Sequence, residues 1–249
     1  MQDNETLNAG LQIHFAFIFI FMNESYHKGV VETYMKNFSA AYRTAPGAIN
    51  NFLSSILIFL AVLAFTAGSY MFFDTRVSTF LFEVIHGSDV LEQATSGIPD
   101  VLLHIVAVIT AISWAGYFFL TRKGVCSHAS RFLRLCGTSV PLAFVIKTIL
   151  QYVFGRVNTE AWTLYHQLPR FYWFRAGEGY GSFPSGHMTV FTALVVSFWQ
   201  YYPHRRLAGV VFLSLLALAL IATNYHFVSD VIAGAYFGLV VTLIAARER

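Results

Sequence analysis

Six apolar runs decide most of what this 249-residue chain can fold into. They are Asn51–Phe73, Ile98–Leu120, Phe132–Phe154, His187–Tyr202, Leu207–Tyr225 and Phe227–Ala246. A helix needs about 20 apolar residues to cross the ~30 Å hydrocarbon core of a bilayer. Inside lipid the backbone must satisfy its own polar groups, so runs of this kind read as helices. The fourth run is the shortest and has the weakest boundaries. Charge agrees: 12% of the residues are charged, against about 25% in a soluble domain. The expectation is an all-α fold, a six-transmembrane helical bundle. No internal repeat or low-complexity linker divides it, so residues 51–249 read as one membrane domain, preceded by a cytoplasmic or interfacial segment over 1–50.

The positive-inside rule orients the bundle. With the amino terminus inside, the inner segments hold eleven basic residues, from Lys28 to Arg249, and the outer ones only Arg76, Arg156, Arg170 and Arg175. Both termini are therefore expected in the cytoplasm. Leu11–Met22 is apolar, but 12 residues make only about 18 Å of helix, so it reads as an interfacial helix. A net charge of +3 with no basic stripe argues against a nucleic-acid partner. Cys126 and Cys136 match no zinc or redox spacing and read as inert thiols in or near a cytoplasmic loop.

Two outer segments are long. After the first span, Val77, Phe80, Leu81, Val84 and Ile85 recur at helical spacing, which predicts an amphipathic interfacial helix on the membrane surface. Gly155–Gly186 is rich in glycine, aromatics and arginine, and a loop that long is uncommon without a role. It ends in Gly177-Glu-Gly-Tyr-Gly-Ser-Phe-Pro-Ser-Gly-His187, running straight into an apolar helix. Glycines let a ligand approach the backbone, and the first amides of a helix have no internal acceptors, so the junction suits an anion. Pro184 is placed to start the helix, Ser185 and Gly186 supply donors, and His187 can pass a proton near neutral pH. Further on, His226 and Asp230 stand four apart, a spacing that lets a carboxylate hold one imidazole nitrogen and leave the other as nucleophile. Topology puts His187, His226 and the end of the third span at Arg156 on one membrane face. Lys147 lies in that third span below its outer end, with Gln151 one turn above.

These motifs resemble the type 2 phosphatidic acid phosphatase family of the acid phosphatase and vanadium haloperoxidase superfamily. The family's three motifs are Lys, six residues, Arg-Pro; then Pro-Ser-Gly-His; then Ser-Arg, five residues, His, three residues, Asp. The second is complete as Pro184-Ser185-Gly186-His187, and the third keeps His226 and Asp230. The chain departs at the cations: Gln151 stands at the motif lysine, Asn158-Thr159 at its Arg-Pro, and Leu220 at the third motif's arginine. Lys147, Arg156 and Arg175, with Arg170 beside them, are the candidates to replace those charges.

The resemblance implies a metal-independent phosphatase without cofactor, acting on a membrane lipid. His226 attacks phosphorus, His187 protonates the leaving oxygen, Asp230 holds the His226 tautomer, and Lys147, Arg156, Arg175, Ser185 and Gly186 bind the phosphate. Phosphatidic acid, phosphatidylglycerophosphate, a polyprenyl pyrophosphate or a lipid A phosphate would each serve. A phosphotransferase using the same phosphohistidine, or a non-catalytic lipid binder or transporter that kept the fold, are the alternatives. The expected location is a bacterial inner membrane with the site facing the periplasm.

Overall fold

A computed structural model describes residues 46–86, 101–125, 127–165, 170–177 and 179–247, with side chains left out at 46–52 and 164–165. Leu11–Met22 and Cys126 lie outside the described residues. The chain divides into two compact units, Met1–Ala61 and Val62–Arg249, and everything below concerns the second.

The described helices are α1 (Pro46–Phe72), α2 (Asp74–His86), α3 (Leu102–Arg122), α4 (His128–Phe154), α5 (Thr159–Tyr165), α6 (Gly186–Tyr201), α7 (Arg206–Ala222) and α8 (Val228–Arg247). A single 3-10 turn, Pro203–Arg205, leads into α7. Among the described residues, five helices are long and apolar enough to cross a membrane: Leu53–Phe72, Leu102–Arg122, His128–Phe154, Pro203–Ala222 and Val228–Arg247. Large apolar side chains such as Phe65, Met71, Ile112, Leu207, Leu215 and Leu218 are exposed along them. Water would penalise such a surface and lipid would not. The chain is a multi-pass membrane protein.

The fourth apolar run behaves differently from the others. It forms α6, 16 residues long, or about 24 Å at 1.5 Å per residue, short of the ~30 Å core. Its apolar side chains pack inside the bundle. Val190 packs with Leu102, Val106, Cys136 and Val140 of α3 and α4. Met188 and Val195 pack with Leu213 and Leu220 of α7 and Val231 of α8, while Ala193 meets Ala143 and Val241. Helix α6 is thus the axis around which the others are placed. Cys136 lies in α4 inside the first of these clusters rather than in a loop.

Helices α6 and α8 approach most closely. A Cβ on Gly234 would stand 2.7 Å from the Ser185 carbonyl oxygen, and one on Gly238 would strike the Thr189 carbonyl. Small residues four apart let two membrane helices approach this closely. The consequence is local precision, because α6 begins at one histidine and α8 begins just past the other. The interfacial run forms α2, with Ile85 buried and Phe80 and Val84 exposed.

Candidate active site

Five helix ends meet at one end of the bundle: the starts of α2, α6 and α8 and the finishes of α4 and α7. Helix α6 begins at Gly186, with the Ser185 hydroxyl accepting from the Met188 amide at 3.4 Å. Pro184 therefore precedes the cap instead of starting the helix, since a serine oxygen is the better N-cap. The Gly186 and His187 amides belong to the first turn, where donors have no intrahelical acceptor. The ring of His187 stands 6.4 Å from that of His226, with Tyr225 between them at 5.5 and 5.1 Å.

His226 lies just before α8, not within it. Asp230 sits in that helix's first turn, and its Oδ2 reaches back to accept the Phe227 amide at 3.2 Å. This is one half of a capping box. It leaves Oδ2 3.7 Å from His226 Nδ1, within ion-pair range but beyond a hydrogen bond. Nδ1 is buried and has no hydrogen-bond partner among the described residues. Ser182 donates its hydroxyl to the same Oδ2. The Ser185 amide donates to the Asp230 carbonyl at 3.0 Å, tying the α6 cap to α8.

Arg156 is where the structure departs from expectation. Gly155 ends α4 at φ +53°, where a Cβ would collide with the Tyr172 carbonyl, and the turn carries Arg156 inward. Its side chain is 0% exposed. Nη1 donates to Asp230 Oδ1 and to Ser229 Oγ at 2.6 Å, and Nη2 to Asp74 Oδ2 at 2.6 Å. The rings of Tyr70, Phe171 and Phe227 lie 4.3–5.4 Å from its guanidinium carbon. Burial works against the charge, yet the Asp230 and Asp74 carboxylates outweigh it and hold the guanidinium pKa above its ordinary value. Asp74 accepts in addition from the Ser229 amide at 3.0 Å and from its hydroxyl. Burial keeps the Asp74 carboxyl above its usual range, with Arg156 and Ser229 pulling it down.

Lys147 does reach the α6 end. It is 8% exposed, its ammonium donates to Gln151 Oε1 at 3.2 Å, and it lies 3.2 Å from where a Gly186 Cβ would be. Gln151 in turn donates to the Pro184 carbonyl at 3.1 Å. Arg175 is exposed and stacks over Tyr180 and Tyr172 at 4.5 and 5.6 Å. Asn158 caps α5 through the Ala161 amide, and Leu220 packs in the α6–α7–α8 core, so neither site offers a charge. Sequence reasoning missed Asp74, Ser182 and Ser229. An acid directly after an apolar run is a usable signal for Asp74, whereas the two serines carried none.

Similarity to known proteins concentrates on this half of the chain. Residues 132–248 match the sequence model of the PAP2 superfamily. Lipid A 1-phosphatases of Rhizobium etli and Rhizobium johnstonii are each 29% identical, over 109 and 108 residues. Those stretches cover 44% and 43% of this chain and 47% and 44% of theirs. The chain thus spans less than half the length of the curated relatives it matches. A transmembrane PAP2-type phosphatidylglycerolphosphate phosphatase of Bacillus subtilis superposes with a TM-score of 0.32 at 20% identity, over 76% of this chain and 85% of that one. The matched region contains Lys147, the Pro-Ser-Gly-His turn, His226 and Asp230 together, so this half of the chain, with the site in it, is similar to the PAP2 superfamily.

Proposed function

We propose that this protein is an integral-membrane lipid phosphate phosphatase working through a phosphohistidine. The observation that carries the reading is the placement of two histidine rings 6.4 Å apart at the start of α6, with a buried carboxylate behind one of them. His226 Nε2 attacks phosphorus, the bond from phosphorus to the lipid oxygen breaks, and His187 gives that oxygen its proton. Water then releases the phosphoryl group, with His187 as base. The Ser185–His187 turn and Lys147 hold the phosphate oxygens, and Arg175 is the exposed cation available to a headgroup. Arg156, expected in the same clamp, is turned away from solvent, and its role is taken up below.

A site at the mouth of a membrane bundle suits a substrate whose tail stays in the bilayer and whose phosphate reaches the surface. The named activities of the relatives are consistent with that substrate class. The excess of basic residues on segments read as inner supports cytoplasmic termini and a site on the periplasmic face of a bacterial inner membrane. The test is phosphate release by the purified protein in detergent. The panel is phosphatidic acid, phosphatidylglycerophosphate, undecaprenyl pyrophosphate and lipid A, with and without vanadate, beside His226→Ala. Release that vanadate blocks and the variant lacks supports the reading and names the lipid. Transfer to a lipid acceptor without free phosphate would make the protein a phosphotransferase; neither product from folded protein would leave a lipid binder.

A further inference from the structure

The buried cluster behind His226 contains more negative charge than its arginine needs. Asp74, Arg156 and Asp230 are each at most 1% exposed, so water screens none of them, and buried charges have to be answered by one another. Arg156 with Asp230 alone would be a closed, neutral pair. With Asp74 added, one guanidinium faces two carboxylates and the cluster keeps one surplus negative charge. The buried group next to that surplus is the His226 ring, whose Nδ1 lies 3.7 Å from Asp230 Oδ2.

We propose that Asp74 is a positioning residue for the His226–Asp230 pair, engaging Arg156 from the inner side so that Asp230 is held in place without being neutralised. This rests on the phosphohistidine reading above and assigns Arg156 to the interior of the site instead of to the phosphate. The bonds divide accordingly. Arg156 takes Oδ1 of Asp230, which fixes the rotation of the carboxylate. Ser182 and the Phe227 amide steady Oδ2, the oxygen that faces His226. Arg156 is oriented by Asp74 through Nη2 and by Ser229 through Nη1. Asp74 is itself anchored to the first turn of α8 by the Ser229 amide, an N-terminal amide satisfied from another helix.

The chemistry needs such a surplus. Neutral His226 carries its proton on Nδ1 and attacks with Nε2. When the Nε2–P bond forms and the P–O bond to the lipid breaks, the ring gains a formal positive charge. The proton on the leaving oxygen comes from His187, so the one on Nδ1 stays. A carboxylate not already cancelled by Arg156 stabilises that ring charge and keeps the proton on Nδ1 beforehand, so that Nε2 is the nitrogen presented to phosphorus.

The test compares full-length wild type, Asp74→Asn and Ser78→Ala in detergent. Asp74→Asn keeps the shape and removes the charge. Ser78→Ala removes a part-buried hydrogen bond of the same helix, from Ser78 Oγ to Asn224 Oδ1 at 2.6 Å, and leaves the charge cluster alone. Removing outright the carboxylate behind a catalytic histidine costs roughly 10⁴-fold; acting one residue further back, Asp74→Asn should lower kcat about 10–100-fold. KM and vanadate inhibition should hold steady, while Ser78→Ala should stay within about threefold of wild-type kcat. In protein labelled with 15N-histidine, the His226 signals, assigned by their loss in His226→Ala, should show a single Nδ1-protonated tautomer in the wild type and a mixture in Asp74→Asn. Unchanged kcat in folded Asp74→Asn would overturn the proposal. So would a loss confined to KM and vanadate affinity, which belongs to a phosphate ligand, or an equal loss in Ser78→Ala, which belongs to scaffolding. A wild type that releases no phosphate sinks the functional reading alone; the tautomer spectra then decide on Asp74, and identical spectra would end the idea.

Discussion

Replacing Gly234 by alanine sets two well-characterised effects against each other. In a helix interior, alanine is favoured over glycine by about 1 kcal/mol, so propensity alone predicts a gain in stability. At this position the new Cβ would sit 2.7 Å from the Ser185 carbonyl oxygen and 3.0 Å from the Met188 Cβ. A carbon next to a carbonyl oxygen settles at about 3.3 Å or more, so α6 and α8 must separate by about 0.6 Å. Overpacking of that kind costs about 1–3 kcal/mol, leaving stability unchanged or lower by up to about 2 kcal/mol once propensity is credited. That is a fall of roughly 0–8 °C at 2–4 °C per kcal/mol. Activity should suffer more. The displaced residue is Ser185, whose hydroxyl caps α6 and whose amide bonds the Asp230 carbonyl, and misplacement by about 1 Å can cost 100-fold. A loss of about tenfold in kcat is expected. Gly68→Ala is the control, because nothing lies within 4 Å of its Cβ, and it should be neutral or stabilising with full turnover. Thermal unfolding in detergent and phosphate release on the same preparations give both numbers. If Gly234→Ala matched Gly68→Ala in both, the close approach of α6 to α8 would not be what sets the site.

Two further outcomes follow from the same geometry. Lys147→Met keeps the length of the side chain and removes the charge beside Gly186, so KM and vanadate inhibition should weaken about tenfold or more, the worth of one charge-assisted contact. An unchanged KM would return the role of phosphate cation to the loop arginines. Asp74 should leave a signature in stability against pH. Its carboxyl is raised above 3.8 in the folded protein, so the stability linked to it is complete below that value and is lost as pH rises through the folded-state pKa. The melting temperature of wild type minus that of Asp74→Asn should therefore shrink as pH rises from about 4 through the folded-state pKa; a difference that grows with pH would mean the carboxylate is stabilised by its partners rather than burdened by its burial.

Much of this protein is legible in its residues because lipid leaves the chain few options. The apolar runs mark the helices, Gly155 marks the end of α4, and Pro-Ser-Gly-His marks the start of α6, each for a reason local to a few residues. The number of spans is less legible: α6 is apolar and surrounded by other helices, and hydropathy does not tell lipid from protein. Arg156 shows the other limit. An arginine after a helix end in an outer loop reads as a cation for substrate. Only the left-handed turn at Gly155 and an aspartate 82 residues earlier reveal that it points inward. Asp74 offered only the signal of an acid after an apolar run, since its partners Arg156 and Ser229 lie 82 and 155 residues away.

The stability and catalytic arguments about Asp74 pull in opposite directions, and that opposition is informative. A buried carboxylate whose pKa is raised makes the fold less stable at neutral pH than an uncharged residue of the same shape would. Asp230 alone would balance the charge of Arg156, so the second acid, although it accepts from Nη2, is not required to neutralise the arginine. On the proposal above it alters the charge left on Asp230, and the residue that registers the difference is His226, through a buried Nδ1 with no hydrogen-bond partner among the described residues. Groups that burden a fold while tuning a reactive side chain are expected at active sites. Because the start of α2, the end of α4 and the start of α8 are joined through this one cluster, a shift of α2 at the membrane surface would be transmitted to His226 through Asp74, Arg156 and Asp230.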